Sequence, residues 1–186
     1  LDALTTGTSN IGIGYTALST VTTGKNNIAI VHAALVVNTA SNNTAIGFQA
    51  MDNTTTGDKN VAIGSYALDA LTTGTNLVAV GYQALDAITT VSSCTAVGYQ
   101  ALTQNTSGIE NTAVGYNAGD AISTGGDNTG LGYNCLSAIT TTNSNTAIGA
   151  SSMNRNTGDS NTAVGHGALG GPAGTGSHNT SIGMIS

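Results

Sequence analysis

A glycine that returns at a nearly fixed interval governs what this chain can become. It stands at Gly14, Gly47, Gly64, Gly81, Gly98, Gly115, Gly132, Gly149, Gly165 and Gly183, with Val31 filling one slot. Of the ten intervals, seven are 17 residues (14 to 31, then the six from 47 to 149), two are 16 and one is 18. The surrounding consensus is Asn-Thr-Ala-(Val/Ile)-Gly-Tyr-x-Ala-Leu, as in Asn111-Thr112-Ala113-Val114-Gly115-Tyr116. The 186 residues therefore read as a single array, 1–186, of eleven copies, and the fold has to be argued from the unit.

Seven residues before the glycine comes a second marker: Gly7, Gly24, Gly57, Gly74, Gly108, Gly125, Gly158 and Gly176, with Ala40, Val91 and Thr142 as exceptions. It reads as a turn. Length changes fall only between the Leu-type position and this marker: five residues from Met153 to Gly158, six from Leu68 to Gly74, and seven from Leu169 to Gly176, which span the one proline, Pro172. One edge of each unit is thus a tolerant loop while the rest keeps register.

Seventeen residues are too few for helical repeats, which need about 33 or more. Thr, Val, Ile and Tyr favour strands, and Gly and Asn interrupt every few residues. The expected fold is all-β: a β-solenoid of eleven coils with about 17 residues each, two short strands and two turns per coil, and successive coils stacked in parallel ~4.8 Å apart into a rod of roughly 50 Å. Each consensus position then becomes a ladder of like residues.

The residue before the glycine is Ile13, Ile30, Ile46, Ile63, Val80, Val97, Val114, Leu131, Ile148, Val164 and Ile182, aliphatic in every copy, so this row is expected to be buried. Four residues after the glycine come Leu18, Leu35, Met51, Leu68, Leu85, Leu102, Leu136, Met153 and Leu169, broken by Gly119, a second row expected in the core. An odd separation along an uninterrupted strand sends side chains to opposite faces. One row would pack inside the coil and the other would need a partner, for which another copy of the same rod is the natural choice. Alternatively, the glycine bends the strand and returns both rows to one interior.

Tyr15, Phe48, Tyr82, Tyr99, Tyr116 and Tyr133 follow the glycine, but His32, Ser65, Ala150, His166 and Met184 share the slot. A position that accepts Ser and His is not deep core. It reads as a partly covered stripe, either a packing ladder at a subunit boundary or a contact for carbohydrate or protein. The Asn10, Asn27, Asn43, Asn60, Asn111, Asn128, Asn145, Asn161 and Asn179 row fits a turn whose amides bond backbone or stack along the axis.

Composition removes several functions. With 3 Lys and Arg against 9 Asp and Glu, a net charge of -6, the chain cannot neutralise a run of phosphates, which argues against nucleic-acid binding. No apolar run reaches the ~18 residues of a membrane span. His32, His166 and His178 are distant in coil number, and Cys94 and Cys135 lie two coils apart at different repeat positions. No zinc site, disulfide or cofactor site is therefore expected. The acids, among them Asp52, Asp58, Asp69, Asp86, Glu110, Asp120, Asp127 and Asp159, surround the loops and form no recurring acid/base pair. The pattern is not that of an enzyme.

The runs Asn43-Thr44-Ala45-Ile46-Gly47, Asn60-Val61-Ala62-Ile63-Gly64 and Asn161-Thr162-Ala163-Val164-Gly165 resemble the head repeats of trimeric autotransporter adhesins of the YadA type, and related arrays in bacteriophage tail fibres and bacterial surface fibres. The resemblance covers all eleven copies. It implies a left-handed parallel β-roll, with three rolls packed about a common axis as a homotrimer. The adhesin unit is typically shorter and lacks the regular Tyr and the Thr-Thr-Gly turn. The stretch from Thr95 to Leu102 is closer to the tail-fibre and surface-filament arrays.

Leu1-Asp2-Ala3-Leu4-Thr5-Thr6-Gly7 repeats as Leu68-Asp69-Ala70-Leu71-Thr72-Thr73-Gly74, and the chain stops at Ser186 just beyond a repeat glycine. No distinct caps are visible, so the expectation is the shaft of a longer fibre. The expected role is structural: an extracellular, cell-surface or virion fibre that gives reach, stiffness and contact with a surface glycan or protein receptor. The competing expectation is ice binding by stacked Thr5-Thr6, Thr22-Thr23, Thr55-Thr56, Thr72-Thr73, Thr89-Thr90 and Thr141-Thr142, although these pairs adjoin the segment that changes length.

Overall fold

The computed structural model describes residues 5–171 and 174–184. The opening Leu1–Leu4, Pro172 and Ser186 lie outside the described residues. The chain winds into a β-solenoid with eleven strands, one per coil: β1 (Ile11–Ile13), β2 (Ile28–Ile30), β3 (Thr44–Ile46), β4 (Val61–Ile63), β5 (Val78–Val80), β6 (Thr95–Val97), β7 (Thr112–Val114), β8 (Thr129–Leu131), β9 (Thr146–Ile148), β10 (Thr162–Val164) and β11 (Thr180–Ile182). They form one parallel sheet in sequence order. Ile46 pairs with Ile63 and Ile63 with Val80, so the ladders anticipated from the repeat are real vertical columns. No helix occurs among the described residues.

Two strands per coil were expected; each described coil has one, three residues long. The remainder is turn, built on left-handed backbone at non-glycine residues. In one coil Gln83 and Leu85 both have φ of 52°, and the preceding coil has Tyr66 at 61° and Leu68 at 54°. Such a conformation costs an L-residue roughly 1–2 kcal/mol. Bonds between coils hold it: the Tyr66 amide donates back to the Phe48 carbonyl at 3.0 Å, and the Leu68 amide donates forward to the Ala84 carbonyl at 3.1 Å. Each turn is thus tied to both neighbours, and its alternating handedness leaves no room for a second strand.

The glycine slot is a steric requirement. Gly81 has φ of 141°, and a Cβ placed there would collide with the carbonyl of Gly98 in the next coil.

The core is narrow and small-chained. Ala29, Ala45, Ala62, Ala79, Ala96 and Ala113, the middle residues of their strands, are fully buried. So are Leu18, Leu35, Met51, Leu68, Leu85, Leu102, Leu136 and Met153, while Leu169 is partly buried against them. Val21, Leu71, Ile88, Ile122 and Ile139, seven residues after the glycine slot, complete the interior.

The other aliphatic row is not core. Ile13, Ile63, Leu131, Ile148 and Ile182 are exposed, Ile13 at 59% and Ile182 at 77%. Ile30, Ile46, Val80, Val97, Val114 and Val164 are half-buried by their neighbours along the face. The strand's period of two is the cause: once Ala points inward, the residues on either side of it point out. The single-interior alternative is overturned. The Leu row lies inside, and the Ile/Val row lines the outer face of the sheet.

Candidate functional surface

Every strand presents two residues outward, such as Thr95 and Val97 in β6 or Thr112 and Val114 in β7, with Ala between them facing in. The aliphatic column therefore runs beside a second outward column, Ile11, Ile28, Thr44, Val61, Val78, Thr95, Thr112, Thr129, Thr146, Thr162 and Thr180. Strand register is unbroken from β1 to β11. Eleven parallel strands make a strip ~48 Å long, and three residues make it about 10 Å wide. The result is a face on the order of 500 Å², one column of which is aliphatic throughout and the other Thr in seven of eleven strands.

A column of rings flanks this strip. Tyr15, His32, Phe48, Tyr66, Tyr82, Tyr99, Tyr116 and Tyr133 follow one another with centroids 4.9–6.0 Å apart. The first five meet edge to face. From Tyr82 to Tyr133 the rings stack nearly parallel, with planes 14°, 9° and 17° apart. All six stripe residues proposed from sequence lie in the column. Tyr66 was missed because it stands one position beyond the ring slot, which holds Ser65. With the small Ser65 in the ring slot, the Tyr66 ring stands between Phe48 and Tyr82. Each ring face in the parallel stretch is covered by the next ring along the axis, so this part of the column offers a partner edges and hydroxyls. A sugar that needs a ring face to stack on is poorly served there.

The asparagine column lies inside, opposite in character. Asn60 Nδ2 donates to the Gly74 carbonyl at 2.9 Å, and Asn60 Oδ1 accepts the Leu77 amide at 3.0 Å. Asn43 and Asn111 make the same carbonyl bond to Gly57 and Gly125. These amides are fully buried and serve the backbone. The loop threonines are likewise engaged: Thr39, Thr55, Thr72 and Thr106 donate their hydroxyls to the carbonyls of Thr55, Thr72, Thr89 and Ser123 one coil on.

Asp52, Asp69 and Asp86 occupy one slot in three successive coils, five residues after the glycine. Asp69 is raised above its ordinary pKa of 3.8, first by burial and then by the charges of Asp86 and Asp52. Burial also raises Asp86, against a hydrogen bond from Gln83 Nε2 to its Oδ2 at 3.3 Å that lowers it. Asp120 is raised by burial. Cys94 and Cys135 are free and buried, and burial pushes the Cys135 thiol up to about 11. Among the described residues no group of three or more His, Cys, Asp and Glu is placed to hold a metal ion, and no helix is long and apolar enough to cross a membrane.

Comparison with models of protein families, with curated proteins and with solved structures finds no match to this chain. The functional reading therefore rests on the surface itself.

Proposed function

We propose that this chain is a structural module of a fibre, whose outer sheet face packs against further copies of the same chain. The observation that carries the reading is the uninterrupted outward strip of Ile, Val and Leu beside Thr, from Ile13 to Ile182. A partner that covers it along its whole length must repeat at the spacing of the coils, and this chain has that spacing. Its low cationic content and the absence of acid/base pairs in the repeat agree with a role in reach and stiffness. Three copies about one axis, and placement on a cell surface or virion, are what the resemblance to adhesin and tail-fibre repeats implies. A receptor, glycan or protein, would meet the tyrosine edges at the strip's margin.

The test is mass in solution by light scattering, paired with small-angle scattering for shape. The expected result is an elongated assembly of several chains that falls to single chains in Val97→Lys/Val114→Lys with an unchanged circular-dichroism spectrum. A monodisperse monomer for the unmodified chain overturns the reading.

One observation favours a second reading, ice binding, on a different surface from the loop threonines. Thr5, Thr23, Thr55 and Thr72 of the loop pairs give their hydroxyls to carbonyls, whereas Thr95, Thr112, Thr129, Thr146, Thr162 and Thr180 stand in register in six successive strands on the outer face. Thermal hysteresis from the unmodified chain as a monomer, lost on Thr112→Lys, would support it. Ice crystals of unaltered shape would dismiss it.

A further inference from the structure

The ring column carries an inference that stands apart from the fibre reading. Tyr82, Tyr99, Tyr116 and Tyr133 stack with centroids 5.4, 4.9 and 5.5 Å apart. Their strands are paired in register, so the four side chains leave equivalent points of successive coils and run in the same direction. All four stay open to solvent, from 41% at Tyr99 to 54% at Tyr133. We propose that this four-tyrosine stack is a site of oxidative modification, at which a haem-peroxidase-class oxidant using hydrogen peroxide couples neighbouring phenols into dityrosine and staples one coil to the next.

The chemistry balances. Each of two phenols gives up its hydroxyl proton and one electron, and the two phenoxyl radicals pair by forming a bond between the ring carbons ortho to oxygen. The hydrogens on those carbons then move to the phenolic oxygens as both rings regain aromaticity. The net loss of two hydrogens reduces one peroxide to two waters. The near-parallel planes turn equivalent edges of adjacent rings to the same side of the column, so coupling needs two rings to tilt and close from 4.9–5.5 Å until their ortho carbons meet.

The same geometry makes the site selective. Tyr66 and Tyr82 meet at 85° and 6.0 Å, edge toward face and at the widest spacing in the column, so their planes are not aligned for coupling. Phe48, on the other side of Tyr66, has no hydroxyl to oxidise, and Tyr15 is separated from Phe48 by His32. Coupling is therefore confined to the run from Tyr82 to Tyr133. The bond would lie along the rod axis, where among the described residues coils are joined by hydrogen bonds and packing, the two cysteines being free.

The experiment treats dilute folded protein with a haem peroxidase and limiting peroxide, and reads dityrosine fluorescence and the mass of cross-linked peptides. The expected result is strong fluorescence and peptide pairs joining adjacent members of the four, short of the parent masses by two hydrogens. Tyr99→Phe/Tyr116→Phe keeps the rings and the stack but leaves Tyr133 without an adjacent phenol and Tyr82 with only the edge-to-face Tyr66, so the signal is lost while the circular-dichroism spectrum is retained. Tyr15→Phe/Tyr66→Phe keeps the full signal. A mixture of isotopically light and heavy chains shows whether bonds lie within one chain, as expected. Three results overturn the proposal: no dityrosine under conditions that couple free tyrosine, bonds only between chains, or a signal that survives in Tyr99→Phe/Tyr116→Phe.

Discussion

Cys94 and Asn105 share one buried carbonyl. Cys94 occupies a slot of the asparagine column, where the usual side-chain amide donates to a marker carbonyl in the next coil, and its thiol takes over that contact as a weaker donor, 3.3 Å from Gly108 O. Asn105, from a slot that is Ile88 one coil earlier and Ile122 one coil later, donates its Nδ2 to that carbonyl, Gly108 O, at 3.0 Å and lies 3.7 Å from the Cys94 sulfur. Its Oδ1 also accepts the Gly108 amide at 2.8 Å. Replacement of Asn105 by Ile therefore strands the Gly108 amide and leaves the carbonyl to the weak thiol donor alone, at a cost of about 1–3 kcal/mol for the group left unsatisfied. Cys94→Asn/Asn105→Ile rebuilds the arrangement of neighbouring coils and recovers most of that loss. A double-mutant cycle by urea denaturation, with amide exchange at Gly108 as a local readout, checks the coupling. Additive losses would refute it.

The same pair shows what the repeat made legible and what it hid. Columns, register and the position of the tolerant loop follow directly from the spacing, because stacking in register puts like on like. Which face is inside does not. Alanine at the strand centre is too small to announce a core, yet Ala62 and Ala79 are fully buried while the bulkier Ile63 beside them is exposed. Tyr66 lies one position off the ring slot, and a long side chain that leans over the small Ser65 to meet Phe48 and Tyr82 carries no mark in the spacing. The exchange between Cys94 and Asn105 was hidden for another reason: two slots eleven residues apart in sequence converge on one carbonyl only after the coil has closed. Asn38 and Asn156 belong to the same class. Each accepts an amide two residues on, from Ala40 and Gly158, in the two coils that are 16 residues long.

The inside and outside assignments are testable by truncation. Leu85→Ala removes a fully buried side chain and should cost about 2–5 kcal/mol. Val80→Ala, on the outer face of the same coil, should cost less in an isolated chain, since the side chain is only half-buried and leaves no enclosed cavity. If the strip is an interface, Val80→Ala weakens association more than it weakens the fold. Unfolding measured below and above the assembly concentration separates the two effects. Equal losses for the two variants in the monomer would contradict the assignment.

The aspartate column predicts an unusual pH response. Asp69 and Asp86 are both raised in the folded chain, so the folded state holds their protons more tightly than the unfolded state does. Stability is then gained, not lost, as pH falls through these raised values, and the gain is complete below the unfolded carboxylate value of ~3.9. The melting temperature should rise between neutral pH and about pH 4. Asp69→Asn should raise it at neutral pH and flatten the profile, because it removes a charge disfavoured first by burial and then by Asp86 and Asp52 on either side. A fall in melting temperature across the same interval, or a destabilised Asp69→Asn, would show that the column is not repulsive.

Val31 is the one residue that fills the glycine slot among the eleven copies. It adopts φ of 92° there, a region in which a branched side chain is strained, and strain of this kind costs of order 1–3 kcal/mol. The Val31 amide still donates to the Ile13 carbonyl at 2.7 Å, so coil-to-coil bonding hardly changes and the cost is local. Val31→Gly relieves the strain, while the extra freedom of glycine in the unfolded chain takes back about 0.5–1 kcal/mol. The expected balance is a gain of up to roughly 2 kcal/mol, read as a higher urea midpoint at constant slope. The reciprocal change at Gly81 has no such latitude. A Cβ there meets the Gly98 carbonyl, and Val78, Ala79 and Val80 are paired on both sides with neighbouring strands, so the backbone cannot retreat. Gly81→Val should therefore destabilise the array by several times what Val31→Gly restores. A neutral Gly81→Val would mean that the glycine column marks the repeat without holding its coils at their separation.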